Sequence, residues 1–460
     1  MTGHLRSGVI PAYVALCLVL GGSSVGHWAN MVLQLLAIGI IAWAALTPRP
    51  MPLSRSAMGL LALAGATLAL VAIQLVPLPP VIWSALPGRD FVVESYALLG
   101  QPLPWLPISL APYQTLSSAL WFLPAFAVIL GIVRLGAFRS SWIATAVVVI
   151  TVTAVMLGAL QVSSGDPVNS LWYLYRITNH GVATGFFANS NHMATLLVVA
   201  VPFLAALFAA GRRRNHSVQA SSGLVAMLAG GTVVILLGLA LNGSLAGLGL
   251  GVPVVAASGL ILASVSGRKA RWSLVLLAFV SIASVAIIFS TPLHNNLTTD
   301  GAITSAESRR TTFAKSLIAA ADFAPFGSGL GTFVRIYPRY EDPAAVNLTY
   351  VNHVHSDFIE LALETGVPGM IVVAAFLLWW GRRIVQVWRG AVPDYYARAA
   401  SIASAAILAH SLVDYPLRTA AIGAIFAMCL ALLAIRPARV EPRARPGDRK
   451  VRHLSVTKIA

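Results

Sequence analysis

Uncharged apolar runs of about 20 residues follow one another along nearly the whole chain, and they leave it few possible folds. A helix of that length crosses the roughly 30 Å of hydrocarbon in a bilayer. Backbone N–H and C=O groups in hydrocarbon must be satisfied within the protein, so lipid-facing segments of this kind are helical. About twelve runs are readable, near 9–26, 29–46, 57–76, 115–133, 141–161, 190–210, 222–240, 243–265, 272–290, 367–381, 399–413 and 419–435. Only 10% of the 460 residues are charged and 58% are apolar, where a water-soluble domain carries about 25% charged residues. The expected fold is an all-α polytopic membrane protein of about 12 transmembrane helices, with residues 1–435 as one transmembrane domain. The first run lacks a small-residue cleavage site and reads as a retained span. Cys17 and Cys429 both fall in apolar runs, which excludes a disulfide framework and a cysteine metal centre.

The formal charge of +16 could suggest a nucleic-acid partner, but its placement argues against one. Lys and Arg accumulate on the cytoplasmic side of membrane proteins. With the N-terminus inside, the short inner connections hold Arg6, Arg49, Arg55, Arg134, Arg139, Arg212, Arg213, Arg214, Arg268, Lys269, Arg271, Arg382, Arg383, Arg389 and Arg398. The Pro/Arg-rich tail 436–460 adds more and reads as a disordered cytoplasmic extension. Most acidic residues fall on the other side, so the excess is an orientation signal. An even number of spans puts both termini in the cytosol.

Two outward segments are long. Residues 77–114 are rich in Pro and aromatic residues, which suits a structured interfacial loop. Residues 291–366 form the largest polar region, expected as a helical loop before the tenth span. Within it, Phe313, Leu317 and Ala320/Ala321 recur at helical spacing over 307–321. The glycine-rich stretch Pro325-Phe-Gly-Ser-Gly-Leu-Gly331 then suits a sharp turn back toward the membrane.

The densest chemistry lies at the end of that segment, in His353-Val-His355-Ser-Asp357-Phe-Ile-Glu360 followed by Glu364-Thr-Gly366-Val-Pro-Gly369. Ionisable groups at a membrane boundary are functional candidates. Asp357 and Glu360 have the spacing of a capping box, with Asp357 as N-cap of a short helix ended by Gly366. His355 precedes that helix and is the candidate proton acceptor; His353 is the weaker partner. A zinc site at 353, 355 and 357 would have suitable ligand types, but H-x-H-x-D lacks the helical spacing of a metalloprotease motif, and no metal is assigned.

Outward arginines are few, which makes Arg309, Arg310, Arg335, Arg339, Arg176 and Arg418 candidates for gripping phosphate oxygens in bidentate fashion; contact with lipid headgroups is the plainer reading of any one of them. Asn189 and Asn191, at the start of the sixth run, could contact substrate or hold helices together.

Taken together, these residues resemble the O-antigen ligase and polysaccharide polymerase (Wzy-type) superfamily over about 160–435. The resemblance rests on Thr184-Gly-Phe-Phe-Ala-Asn189-Ser-Asn191-His192, Ser308-Arg309, Pro325-Phe-Gly-Ser-Gly-Leu-Gly331, His355-Ser-Asp357-Phe-Ile-Glu360 with Glu364-Thr-Gly-Val-Pro-Gly369, and Ser411-Leu-Val-Asp414-Tyr-Pro-Leu417. It implies that His355 is the essential periplasmic histidine and Arg309 a diphosphate-binding arginine. The chain departs from the pattern at Leu245, where many members have an arginine, so either Arg176, Arg335 or Arg418 takes over that role or the donor is held differently.

The resemblance further implies a metal-independent glycosyltransferase of the bacterial inner membrane, acting at the periplasmic face without a cofactor. The donor would be a glycan on undecaprenyl or another polyprenyl diphosphate, and the acceptor a sugar hydroxyl of a lipid A core. A polymerase would instead extend further lipid-linked repeat units. Transfer to a protein hydroxyl and a transporter are the remaining alternatives; an alternating-access transporter needs symmetric halves, and the single large loop at 291–366 argues against it.

Overall fold

The computed structural model describes residues 3–48, 52–214, 218–264, 300–343 and 351–435. The helices in order are α1 (Gly3–Leu20), α2 (Trp28–Leu46), α3 (Arg55–Gln74), α4 (Pro80–Trp83), α5 (Asp90–Leu98), α6 (Pro112–Leu120), α7 (Leu123–Val133), α8 (Ser140–Val162), α9 (Ser190–Arg214), α10 (Val218–Asn242), α11 (Leu245–Ala263), α12 (Asp300–Asp322), α13 (Phe333–Ile336), α14 (Asp357–Arg389), α15 (Tyr395–His410) and α16 (Ala420–Ala434). The only β pairing among the described residues joins Pro77–Leu78 to Leu106–Pro107.

Eight described helices are long and apolar enough to cross a membrane, α6 and α7 together counting as one. The chain is a multi-pass membrane protein. The sequence expectation was about twelve spans. The run near 272–290 and the tail 436–460 lie outside the described residues, as do 291–299 and 344–350 of the polar segment. Three further runs form shorter helices: α1, α15 and α16. α15 and α16 are buried by their neighbours along most of their length, and small residues such as Ala399, Ala403, Ala424 and Ala431 allow close approach. At the centre is α9, 78% buried over its most apolar window and packed by α8, α10, α11 and α15.

The two ends of the bundle differ chemically. At one end arginines take up helix C-terminal carbonyls: Arg6 donates to Leu135 O at 2.7 Å, and Arg383 to Leu433 O. Such donors satisfy groups the helix leaves unpaired. At the other end the chain reversals are stitched to one another. Ala188 N donates to Gly22 O, Ala183 N to Leu241 O, and Asp357 N to Ser411 O. Asn242 Nδ2 spans Ala183 O and Ser190 O at 2.7 and 2.8 Å.

Two buried glutamines fix this second end. Gln161, at the close of α8, accepts from Thr184 N and Gly185 N and donates to Gly185 O. Gln74, at the close of α3, accepts from Leu330 N at 3.0 Å and donates to Glu364 O at 2.9 Å. The 77–122 segment docks on the same glycine-rich turn: Leu110 N donates to Ser328 O, Thr115 Oγ1 to Leu330 O, and buried Arg89 to Gly327 O. Burial holds the Arg89 guanidinium down to about 10. The turn itself needs glycine at 327, 329 and 331, all at positive φ. Gly366, at φ 57° and ψ −153°, divides α14 into a short polar first part and a long apolar second part.

Candidate functional site

The polar cluster enters on an unusual backbone. His355 is the one non-glycine residue at positive φ among the described residues, at 62°. Side chains seldom adopt this region, and where they do the surroundings must hold them there. Here the hold comes from the next two residues. Ser356 caps α14, accepting from Ile359 N, and Asp357 N donates to Ser411 O.

The expected N-cap was Asp357; the cap is Ser356. The Asp357 carboxylate is drawn away by stronger donors from the other end of the chain. Its Oδ2 accepts from Ser411 Oγ at 2.8 Å and Leu417 N at 3.3 Å, and its Oδ1 lies 3.7 Å from Arg418 Nε. Glu360 likewise turns from capping to tertiary contacts. It accepts from Val354 N and meets His353 Nδ1, both at 2.9 Å.

His355 Nδ1 stands 3.4 Å from Asp414 Oδ1, an ion-pair separation longer than a short hydrogen bond. Asp414 is 1% exposed. Burial alone would raise its carboxyl, but contact with His355 and the nearby rings of His192 and His410 overcomes this and holds it well below the usual carboxylate range. His410 Nε2 lies 3.9 Å from the other Asp414 oxygen, and its Nδ1 is 2.7 Å from Thr195 Oγ1. Around the neighbouring Tyr415 ring sit three imidazoles, with centroid separations of 5.1 Å to His192, 4.3 Å to His353 and 5.0 Å to His355. Asn189 and Asn352 share a cavity wall with Tyr415.

Two cavities of about 420 Å³ each flank this cluster and share Ser24, Val25 and Asn352. One is lined by Arg176, His27, Asn179, Asn189, His192 and Tyr415 and has no carboxylate in its wall. The other is lined by His353, Asp357, Glu360, Glu364 and Arg418, with Gln114, Ser118 and Trp121 opposite. An apolar groove of about 300 Å³ between α3, α7, α14 and α16 meets this second cavity at Phe122, Leu330, Asp357, Leu361 and Leu417.

Residues 230–374 match the family model described as Wzy_C, O-antigen ligase. This match supports the resemblance to the O-antigen ligase and Wzy-type superfamily drawn from the sequence. No curated protein matches it closely enough to indicate a relative. The matched segment includes His353, His355 and the carboxylates of α14; Asp414, Tyr415 and Arg418 lie beyond it.

The arginines selected from the sequence have different fates. Arg418 is fully engaged: its Nη2 lies 3.0 Å from Glu364 Oε2 and 3.4 Å from Glu360 Oε1. Burial works against its charge, but Glu360, Glu364 and Asp357 outweigh that and hold the guanidinium above its ordinary value. Arg309 is half-buried on α12 and within electrostatic reach of His410, whereas Arg310 is exposed. Arg335 is exposed, and exposed Arg339 lies over the Phe91 ring at 3.7 Å. Arg176 lines the cavity that lacks carboxylates. Asn189 Oδ1 accepts from Asn191 N at 2.8 Å, and Asn191 Oδ1 from Ser244 Oγ at 2.7 Å. Asn189 thus faces the cavity while Asn191 ties α9 to the start of α11.

The functional sequence reading did not assign roles to Asp414, Tyr415, His192, Gln114 or Trp121. The Ser-Leu-Val-Asp-Tyr-Pro string was the only signal for the first two, since its polar residues interrupt an apolar run.

Proposed function

We propose that the protein transfers a glycan en bloc from a polyprenyl diphosphate to a sugar hydroxyl at the periplasmic face of the inner membrane, as an O-antigen ligase does. The supporting observation is His355: its positive-φ backbone, the 3.4 Å approach of its Nδ1 to Asp414 Oδ1 and the edge contact with Tyr415 set the ring beside a buried carboxylate.

In the reaction, the acceptor oxygen attacks the anomeric carbon and forms the new C–O bond. The bond from that carbon to the phosphate oxygen breaks, and the carrier leaves as the diphosphate with the electron pair. The acceptor proton passes to His355 Nε2. Asp414 orients the ring and stabilises the imidazolium that results. Diphosphate is already a competent leaving group, so the protein contributes mainly orientation and charge neutralisation. Arg176 replaces the arginine absent at Leu245, because the cavity it lines offers a diphosphate no opposing carboxylate. Arg309 supports the same face through its proximity to His410. The apolar groove takes a substrate lipid chain.

The test is a reconstituted assay with purified lipid-linked repeat units and, separately, lipid A core. Transfer that waits for core supports ligation. Chain growth on repeat units alone assigns a polymerase, which differs in acceptor and not in chemistry. No release of carrier diphosphate with either acceptor contradicts the proposal.

A further inference from the structure

The two cavities are alike in volume and differ in charge, and this bears on which substrate each receives. At 420 Å³ the one facing α6 lies within the range of about 300–1,000 Å³ typical of small-molecule sites. Its walls are of three kinds. Gln114, Ser117 and Ser118 supply amide and hydroxyl groups; Trp121 and Phe333 supply aromatic faces; Glu360 and Glu364 form the floor with Arg418. Ring faces beside fixed hydrogen-bonding groups match a sugar, which has apolar C–H faces and a rim of hydroxyls.

The floor has spare acceptor capacity. A carboxylate offers about four lone-pair sites. Glu360 meets His353, Val354 N and Arg418, while Glu364 meets Arg418 and, at 3.5 Å, Phe333 N. One guanidinium faces the three carboxylates of Asp357, Glu360 and Glu364. Burial pushes the Asp357 and Glu364 carboxyls up to about 7 while Glu360 stays ionised against Arg418, so an anion entering here meets no net positive charge and a hydroxyl donor meets acceptors. The wall bearing Gln114 to Trp121 comes from α6 and its C-cap, outside the segment matched by the family model.

We propose that this cavity is the acceptor-sugar subsite, and that its carboxylate floor selects sugars without negative charge. The assignment to the acceptor rests on the transfer reaction proposed above. The donor diphosphate then occupies the Arg176 side, and the two substrates meet where the cavities join beside Tyr415 and His353.

Saturation-transfer NMR on the full chain in nanodiscs tests this with three soluble probes: chitotriose, its deacetylated cationic form, and trigalacturonate. Chitotriose and the cationic form should bind, with trigalacturonate weaker by about ten-fold or more. Inorganic pyrophosphate should leave sugar binding unchanged. Ser117→Trp, which fills the cavity, should abolish the signal; Trp121→Leu, a milder change on the same wall, should weaken it without altering thermal unfolding. Equal binding of trigalacturonate, no binding of any probe, or an unchanged signal in both variants would overturn the assignment. Release of carrier diphosphate is followed in a separate transfer assay, so a subsite that fails while release persists leaves the transfer reaction standing.

Discussion

His355 and Asp414 come together across the bundle, Nδ1 to Oδ1 at 3.4 Å, although 58 residues separate them in sequence and only one stands on ordinary backbone. In the proposed reaction the carboxylate orients one ring nitrogen and the other takes the acceptor proton. Asp414→Asn keeps the shape and removes the charge. It should lower turnover by about 10- to 1,000-fold, with donor binding unchanged, because the charge acts on the imidazolium formed during transfer. Turnover within about two-fold of wild type would show that Asp414 only shapes the loop.

The same carboxylate gives a pH signature in stability. Its folded value lies below its unfolded value, so its contribution is complete above the ordinary carboxylate value of about 3.9 and fades as pH falls through the depressed folded value. Thermal unfolding in detergent should therefore show the margin of wild type over Asp414→Asn narrowing as pH falls below about 4. A margin that widened over that acid range would contradict a depressed Asp414 carboxyl.

Arg418 and Arg176 should respond in opposite ways. Removing the Arg418 guanidinium leaves Asp357, Glu360 and Glu364 buried together without their cation. Breaking a buried pair in this way costs about 3–5 kcal/mol. Arg418→Met should thus unfold at lower temperature or fail to accumulate. Arg176→Ala should leave unfolding unchanged and weaken donor binding by about ten-fold or more, as expected on loss of a charge-assisted phosphate contact. A stable Arg418→Met that binds donor poorly would reassign Arg418 to the phosphates.

Gly366 is required by both conformation and space. A Cβ there would lie 2.1 Å from Pro325 O and 2.7 Å from Gly327 N, both backbone atoms with no room to move aside. Val367 N also donates to Pro325 O at 2.8 Å, so the bend in α14 and the glycine-rich turn are built on each other. Gly366→Ala should lower the unfolding temperature markedly, by about 2 kcal/mol or more in stability. A variant as stable as wild type would mean that the bend is not essential.

How much of this was legible in the sequence depended on distance along the chain. The long apolar runs and the charge asymmetry were readable because each is a local, additive signal. The cluster at His353 to Glu364 was readable because its residues are contiguous. What it touches was not: Asp414, Tyr415 and Arg418 arrive from beyond α15, and Gln114 and Trp121 from more than 200 residues upstream. Arg418 looked like a phosphate ligand because its three carboxylates sit elsewhere in sequence. The cap shifted from Asp357 to Ser356 because two adjacent residues could each serve, and tertiary donors claimed the stronger acceptor.

The most direct measurement is single-turnover glycan transfer by purified His355→Asn in nanodiscs, beside wild type, with a polyprenyl-diphosphate-linked donor. Asparagine tolerates positive φ better than most residues, so the fold and donor binding should persist. If His355 takes the acceptor proton, transfer should fall by about 10²- to 10⁴-fold with donor affinity intact. Transfer within about three-fold of wild type would remove His355 from the reaction, and with it the mechanism proposed here.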